Sequence, residues 1–516
     1  MPRSFNTAGP CRAEYDYMLP PTTRLPEVMS LIDAQKYFVL HAARQTGKTT
    51  ALLALAEELT ASGRYVAALV SMEVGSPFGD DPGMAEGAIL SSWRDAAAAQ
   101  LPDDLQPPPW PADQPGRRIG AALRAWAEAA PRPLVVFLDE IDALADDTLI
   151  SVLRQLRDGY RNRPVHFPWS LALIGLRDVR DYKLREGVGG RLGTASPFNI
   201  KVESITLRDF TQDEVGALYR QHTGDTGQPF TEAAVTRAFE LTQGQPWLVN
   251  ALARQAVEVI VPDRSAPVTA EVFDQAKDIL IARQDTHLDS LAERLREPRV
   301  RAVIEPMMAG TALGDVPDDD RRFVVDLGLA RRDVSGGLVI ANPIYQEVIA
   351  RSLASGPRDS LPRIPTAWLT DDGRIDIRRL LDNFLVFWRR HGQALLGSAP
   401  YAEIAPHLVM MAYLDRVANA GGTLEREYAI GSGRIDLCLR YGPDTFAFEL
   451  KVWRDGRPDP LAEGLEQIDG YLAGLGLDTG WLVIFDRRTG QPPIEERTSA
   501  AEAVTPAGRT VTVVRG

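Results

Sequence analysis

Three short stretches carry residues whose types and spacing could do chemistry. In "VLHAARQTGKTTALL", Gly47-Lys48-Thr49 follows the apolar run Tyr37–His41 and opens a segment of helical pattern. Backbone N–H groups at a helix N-terminus can wrap a phosphate, a lysine can reach its outer oxygens, and a threonine hydroxyl suits Mg²⁺. The residues of such a loop would be Ala43, Arg44, Gln45, Thr46, Gly47, Lys48, Thr49 and Thr50. The pattern G-x-x-x-x-G-K-[ST] has Ala42 at its first glycine, so that turn must tolerate a Cβ. In "PLVVFLDEIDAL", an apolar strand delivers Asp139 and Glu140 at its C-terminal end. The first carboxylate there can hold Mg²⁺ and the second can polarise a water. The competing reading is a strand running into an acidic helix start.

The third stretch is "RIDLCLRYGPDTFAFELKVW". The turn signal Tyr441-Gly442-Pro443-Asp444 joins two strand patterns, 434–439 and 445–452, into a hairpin. Side chains alternate along a strand, so Glu449 and Lys451 share a face while Leu450 points the other way. With Asp436 opposite, two carboxylates and an ammonium converge. Oxygen ligands alone select Mg²⁺ or Mn²⁺, and a lysine beside them can orient water or stabilise phosphate charge. Glu403, on a helix expected over 401–418, and Gln467, on one expected over 460–473, flank the hairpin. Glu425 and Glu427 are alternatives to Glu403 for a further acid. The competing reading is an edge hairpin with Glu449 and Lys451 as solvated surface charges.

The elements that must position these groups are legible upstream. Strand patterns at Tyr37–His41, Tyr65–Val70, Leu134–Leu138, Leu171–Leu176 and Phe198–Val202 alternate with helical ones, which predicts a parallel sheet with right-handed crossovers. Arg177, at the tip of the fourth, could reach a terminal phosphate, and Arg191 is a weaker candidate to act on a neighbouring copy. Thr211 and Glu214 form a capping box, and helices are expected over 231–242 and 247–260, broken at Gly244-Gln245-Pro246. Helices and a hairpin over 299–353 suggest a winged helix; its triple aspartate 318–320 disfavours contact with nucleic acid. The expected divisions are a core at 1–205, a helical lid at 206–295, a winged helix at 296–353, a linker with an amphipathic helix at 354–398, and a final α/β domain at 399–516.

Composition narrows the classes. The 516 residues are 45% hydrophobic and 25% charged, ordinary for a globular chain with several cores. A net charge of −13 argues against a surface that coats nucleic acid, while leaving room for a local basic cleft. Two cysteines and six scattered histidines cannot build a disulfide framework or a thiolate–imidazole metal site. The N-terminus lacks an apolar signal core and no run suits a membrane helix, so the expectation is a cytoplasmic chain with no membrane partner.

The stretches "FNTAGPC", "YMLPP", "YFVLHAARQTGKTT", "VVFLDEIDAL", "LIGLRDVRDYK", "SPFNIKVESITLRDFTQDEV" and "LTQGQPWLVNALARQ" resemble the AAA+/STAND P-loop ATPases, especially the bacterial and archaeal AAA-like ATPases, over residues 5–353. That resemblance implies a sheet in 5-1-4-3-2 order, a lid carrying Pro246 at the nucleotide, a winged helix, and Arg177 as a phosphate sensor. Residues 399–488 resemble the PD-(D/E)xK nucleases: Asp436 matches the lone aspartate, Glu449-Leu450-Lys451 the E-x-K, Glu403 the acid of the preceding helix and Gln467 a glutamine of the following one. The joint expectation is an α/β protein with ATP, Mg²⁺ and, at the second site, Mg²⁺ or Mn²⁺. DNA is the expected substrate, RNA is not excluded, and assembly into a homo-oligomer stays open. Defence against foreign DNA or DNA repair would be its setting. The rivals are an ATP-driven signalling switch whose last domain binds without cutting, and a DNA-translocating motor.

Overall fold

Buried strands in an α/β layer are short continuous apolar runs, because helices cover both faces of the sheet. A computed structural model describes residues 3–176, 203–283, 286–308, 313–333, 335–360, 368–398, 405–418, 422–427 and 436–516. It divides into one unit of residues 1–283 and 322–330 and a second of 284–321 and 331–516.

The first unit holds β1 (Tyr37–His41), β2 (Val66–Ser71), β3 (Leu134–Asp139), β4 (Ser170–Gly175) and β5 (Glu203–Thr206). All pair in parallel, in the order β2-β3-β4-β1-β5, which is the expected 5-1-4-3-2 read from the other edge. Val39, Val136 and Leu173 pack one face against helices Pro82–Gln100, Arg118–Ala129 and Asp146–Tyr160 through Trp93, Trp126 and Leu153. Leu40, Phe137 and Ile174 pack the other against Leu52, Leu55 and Leu59 of helix Lys48–Ala61. Each such fully buried side chain contributes about 1.5–3 kcal/mol.

The fifth strand differs from expectation. Phe198–Val202 lies outside the described residues, and the strand beside β1 is Glu203–Thr206. It is an edge strand with only Ile205 buried, so its sequence, ESIT, shows no apolar run. The segment expected as a lid begins with helix Gln212–Thr226, at whose N-terminus Thr211 and Glu214 make both bonds of the capping box. Helices Glu232–Thr242 and Pro246–Gln255 follow.

In the second unit, β6 (Ala330–Arg332) and β7 (Leu338–Ile340) form a two-stranded sheet. The C-terminal part is a six-stranded mixed sheet of β8 (Gly422–Glu427), β9 (Asp436–Tyr441), β10 (Asp444–Trp453), β11 (Thr479–Asp486), β12 (Ser499–Val504) and β13 (Thr510–Arg515), ordered β12-β13-β11-β10-β9-β8. Sequence reasoning found three of these strands. It missed the two edges, β8, which is polar in sequence, and β12, an alanine-rich and largely exposed strand, and it missed β13, whose Val residues alternate with Thr. Helix Leu461–Leu475 covers one face, setting Ile468 and Leu472 on Ala447, Leu482 and Val511. Helices Ile377–Ser398 and Ala405–Ala418 cover the other, where Trp388 packs on Phe485 at 5.0 Å and Phe384 on Tyr413 at 5.1 Å. No helix among the described residues is long and apolar enough to cross a membrane.

Candidate functional site

At the end of β1 the chain turns into the loop 42–47. Ala42 is buried among the core residues beside Leu40 and Ala51, and its φ is not left-handed, so alanine fits where a glycine usually stands. Gly47 has φ 85° and caps helix Lys48–Ala61; a Cβ there would strain the backbone and lie 3.0 Å from Arg24 Nη2. Lys48 Nζ crosses the loop and donates to the Ala42 and Ala43 carbonyls at 2.7 and 2.8 Å. Burial pushes its ammonium down to about 8, against the opposing pull of Asp139 and Asp142.

Thr49 Oγ1 donates to Asp139 Oδ2 at 3.1 Å, joining the end of β1 to the end of β3 across the sheet. Asp139 Oδ1 accepts from the Glu140 N–H at 2.9 Å. Burial raises the Asp139 carboxyl above its ordinary value despite these bonds. Glu140 has a left-handed φ of 57°, and its carboxylate accepts from Ser71 Oγ at 2.9 Å. Burial raises it too, which suits a group that must take a proton near neutrality. Arg44 and Gln45 are exposed, while Thr50 Oγ1 accepts from the Cys11 N–H at 3.1 Å. Arg177 and Arg191 lie outside the described residues.

Sequence reasoning missed the groups that brace this loop from outside. Arg24, 7% exposed, donates from Nη1 to the Thr46 and Arg208 carbonyls, both at 2.9 Å, and lies over the Phe210 ring. Burial lowers its guanidinium to about 10. Pro246 occupies the first turn of its helix, buried. The contact with the loop comes from Gln245, whose Nε2 donates to the Gln45 carbonyl at 3.3 Å while its Oε1 caps Leu248 N–H at 2.7 Å. Gly244 has φ 78°, and a Cβ on it would fall 1.9 Å from the Phe210 carbonyl. The motif Gly244-Gln245-Pro246 was visible; that its glutamine is the bridging residue was not.

The second group of residues sits on β9, β10 and helix Leu461–Leu475. Register pairs Leu437 with Phe448, so the next step along β9 brings Asp436 level with Glu449. On β8, Glu427 pairs with Asp436 and Glu425 with Cys438. Glu449 is wholly buried, which rules out the reading of it as a solvated surface charge. Among the described residues its charged partner is Lys451 Nζ, 2.8 Å from Oε1, and neither carboxylate oxygen has an aligned hydrogen-bond donor. Lys451 Nζ also donates to Gln467 Oε1 and lies 3.7 Å from Glu463. Gln467 Nε2 in turn donates to Glu463 Oε1 at 2.8 Å. Gly464 lets this helix approach: a Cβ on it would sit 2.7 Å from Leu482. Glu403 lies outside the described residues. Among the described residues no cluster of three His, Cys, Asp or Glu side chains could hold a metal.

His407 was not anticipated. Its Nε2 donates to the Leu450 carbonyl at 3.3 Å, between the two charged positions of β10. Burial drives its pKa down to about 4, so the ring is neutral, and its Nδ1 is buried without a partner among the described residues.

No family model and no curated protein matches the chain. Solved structures to which it is similar include a Walker-type ATPase of Pyrococcus abyssi, at 13% identity over 67% of this chain and 99% of that one, with a TM-score of 0.47. The Thermotoga maritima RuvB Holliday junction branch migration motor is another, at 12% identity over 63% and 92%, TM-score 0.35. A third is the Aeropyrum pernix ORC1 protein in complex with DNA, at 15% identity over 67% and 94%, TM-score 0.33. Likenesses this distant decide neither activity nor partner, and the residues above carry the functional reading.

Proposed function

We propose that this chain binds and hydrolyses ATP with Mg²⁺ at the loop 42–50, and that its C-terminal sheet bears a metal-dependent nuclease acting on DNA. The observation that carries the first part is the Thr49–Asp139 bond beside the looped Lys48. A hydroxyl in the first turn of helix Lys48–Ala61 and a carboxylate at the end of β3, 3.1 Å apart, are a donor set suited to Mg²⁺. Bound there, Mg²⁺ supplies charge neutralisation on the β- and γ-phosphates. The chain does the rest. Loop N–H groups hold the phosphates. Lys48 exchanges its two carbonyl partners for phosphate oxygens. Glu140, released from Ser71, orients a water and accepts its proton. Arg177 is proposed as the residue that reads the γ-phosphate, and Pro246 as the lid's contact with the nucleotide.

The second part rests on a wholly buried carboxylate whose one charged contact among the described residues is Lys451. A buried Glu449 carboxylate with no aligned hydrogen-bond donor among the described residues, level with Asp436 and paired with a lysine, fits a divalent cation. Mg²⁺ or Mn²⁺ would supply an activated water and Lewis acidity. Asp436 and Glu449 would hold it, with Glu403 as a further acid. Lys451, kept in place by Gln467, stabilises charge on the scissile phosphate. ATP turnover would govern cutting, in defence against foreign DNA or in repair.

Hydrolysis of ATP in Mg²⁺ by the wild type, and its loss in Lys48→Ala and Asp139→Asn, is the expected result. Wild-type turnover by Lys48→Ala would remove the phosphate-loop assignment.

A further inference from the structure

The rim of the C-terminal sheet beyond Lys451 is crowded with arginines, in a chain whose net charge is −13. Register pairs Trp453 on β10 with Asp486 on β11, so Arg454 and Arg487 are the next residues off two adjoining parallel strands. The Arg487 N–H donates to the Trp453 carbonyl at 2.8 Å, which keeps the two chain ends together. Arg497 ends the short helix Ile494–Arg497. Its Nε is buried and has no hydrogen-bond partner among the described residues.

Three carboxylates on this rim have partners of their own among the described residues. Asp486 takes a two-toothed bond from Arg488, at 3.0 and 2.7 Å. Asp459 pairs with Arg515 at 2.8 Å, and Asp455 accepts from the Thr489 backbone and hydroxyl. The Trp453 ring is covered by the Arg488 guanidinium at 3.4 Å, with that of Arg515 5.5 Å away. Arg487 makes no ion pair among the described residues, although it is half-buried. Burial, and then the like charges of Arg454 and Arg497, hold its guanidinium below its ordinary value. Like charges gathered around a half-buried guanidinium destabilise the fold, and the arrangement makes sense if an anion completes it.

We infer that Arg454, Arg487 and Arg497 form a phosphate-binding site at the rim of the C-terminal sheet that grips the DNA backbone. The inference rests on the nuclease reading and adds to it the surface that holds the substrate. Arg454 follows the last residue of β10, three positions beyond Lys451. Planar guanidinium groups suit phosphate oxygens in pairs, which lysines would not match.

The test is binding of a labelled DNA duplex by the full chain in EDTA, so that cutting plays no part, across a salt series. Arg487→Gln should bind more weakly and flatten the slope of log affinity against log salt by about 1, and Arg454→Gln/Arg487→Gln by about 2. Arg487→Gln should melt no lower than the wild type, because it relieves repulsion; Arg487→Lys should recover much of the salt slope. Wild-type binding with both glutamine variants unchanged in affinity and slope overturns this inference and leaves the nuclease reading standing. Failure of the wild type to bind any DNA overturns both. A lower melting temperature in Arg487→Gln, with no recovery in Arg487→Lys, shows a structural role and overturns the inference.

Discussion

Glu449 and Lys451 are held either for stability or for chemistry, and replacing both together separates the two. Glu449 is wholly buried and the Lys451 side chain is 11% exposed, with 2.8 Å between their charged atoms. Taking two ions out of water costs several kcal/mol each, which their attraction only offsets. Removing one partner of such a pair costs about 3–5 kcal/mol. Glu449→Gln should fall at the low end, about 3 kcal/mol, because Lys451 keeps its bond to Gln467. For a unit of this size, each kcal/mol moves the melting temperature by about 2–4 °C, so the single variant should melt roughly 6–12 °C lower. Glu449→Leu/Lys451→Met removes both charges and keeps the shape. It should melt at or above the wild type, since apolar replacements of buried pairs are neutral or stabilising by about 1–4 kcal/mol. Scanning calorimetry of the C-terminal transition reads both numbers. A double variant as unstable as the two singles summed would show that the two side chains are uncoupled and each supports the sheet by itself, and the ion-pair reasoning would fail.

Lys48 gives a pH prediction. Its folded pKa of about 8 lies below the ordinary 10.5, so between these values the unfolded chain holds more protons than the folded one. Its desolvation therefore weighs on stability below about pH 8 and is relieved as pH rises toward 10.5. ATP needs the charged form. Binding, measured by titration calorimetry, should weaken above about pH 8 with proton uptake, and Lys48→Met should show neither effect. Gly244→Ala forces a Cβ to 1.9 Å from the Phe210 carbonyl at a φ of 78°; it should weaken nucleotide binding through the displaced Gln245, an effect absent from Gly224→Ala, whose added Cβ meets nothing within 4 Å. Glu86, wholly buried, accepts from the Gly116 N–H at 2.8 Å and from Gln155 Nε2 at 2.6 Å. Glu86→Ala strands both donors and opens a cavity, costing about 2–4 kcal/mol by chemical denaturation with ATP affinity little changed.

The phosphate loop and β3 were legible because their chemistry is local: a few consecutive residues hold the motif, and buried parallel strands write themselves as apolar runs. Arg24 and Gln245 were not, because their bonds to Thr46 and Gln45 span 22 and 200 residues and have no sequence spacing to betray them. At the C-terminus the alternation of β9 and β10 announced the hairpin. The polar edge strand β8, the alanine-rich edge strand β12 and β13 did not announce themselves, and without the three the sheet looked half its width. The pattern also gave Glu449 its face. That helix Leu461–Leu475 would bury that face so fully depended on Gly464, an unremarkable residue in sequence that admits close packing on Leu482.

Whether one chain joins an ATPase to a nuclease is decided by cleavage of a linear DNA duplex in Mg²⁺ or Mn²⁺, with and without ATP. The wild type should cut, and Asp436→Ala should not cut while still hydrolysing ATP at the wild-type rate. Cleavage by Asp436→Ala equal to that of the wild type, or no cleavage by the wild type of linear, circular or single-stranded DNA with either metal, would contradict the proposal.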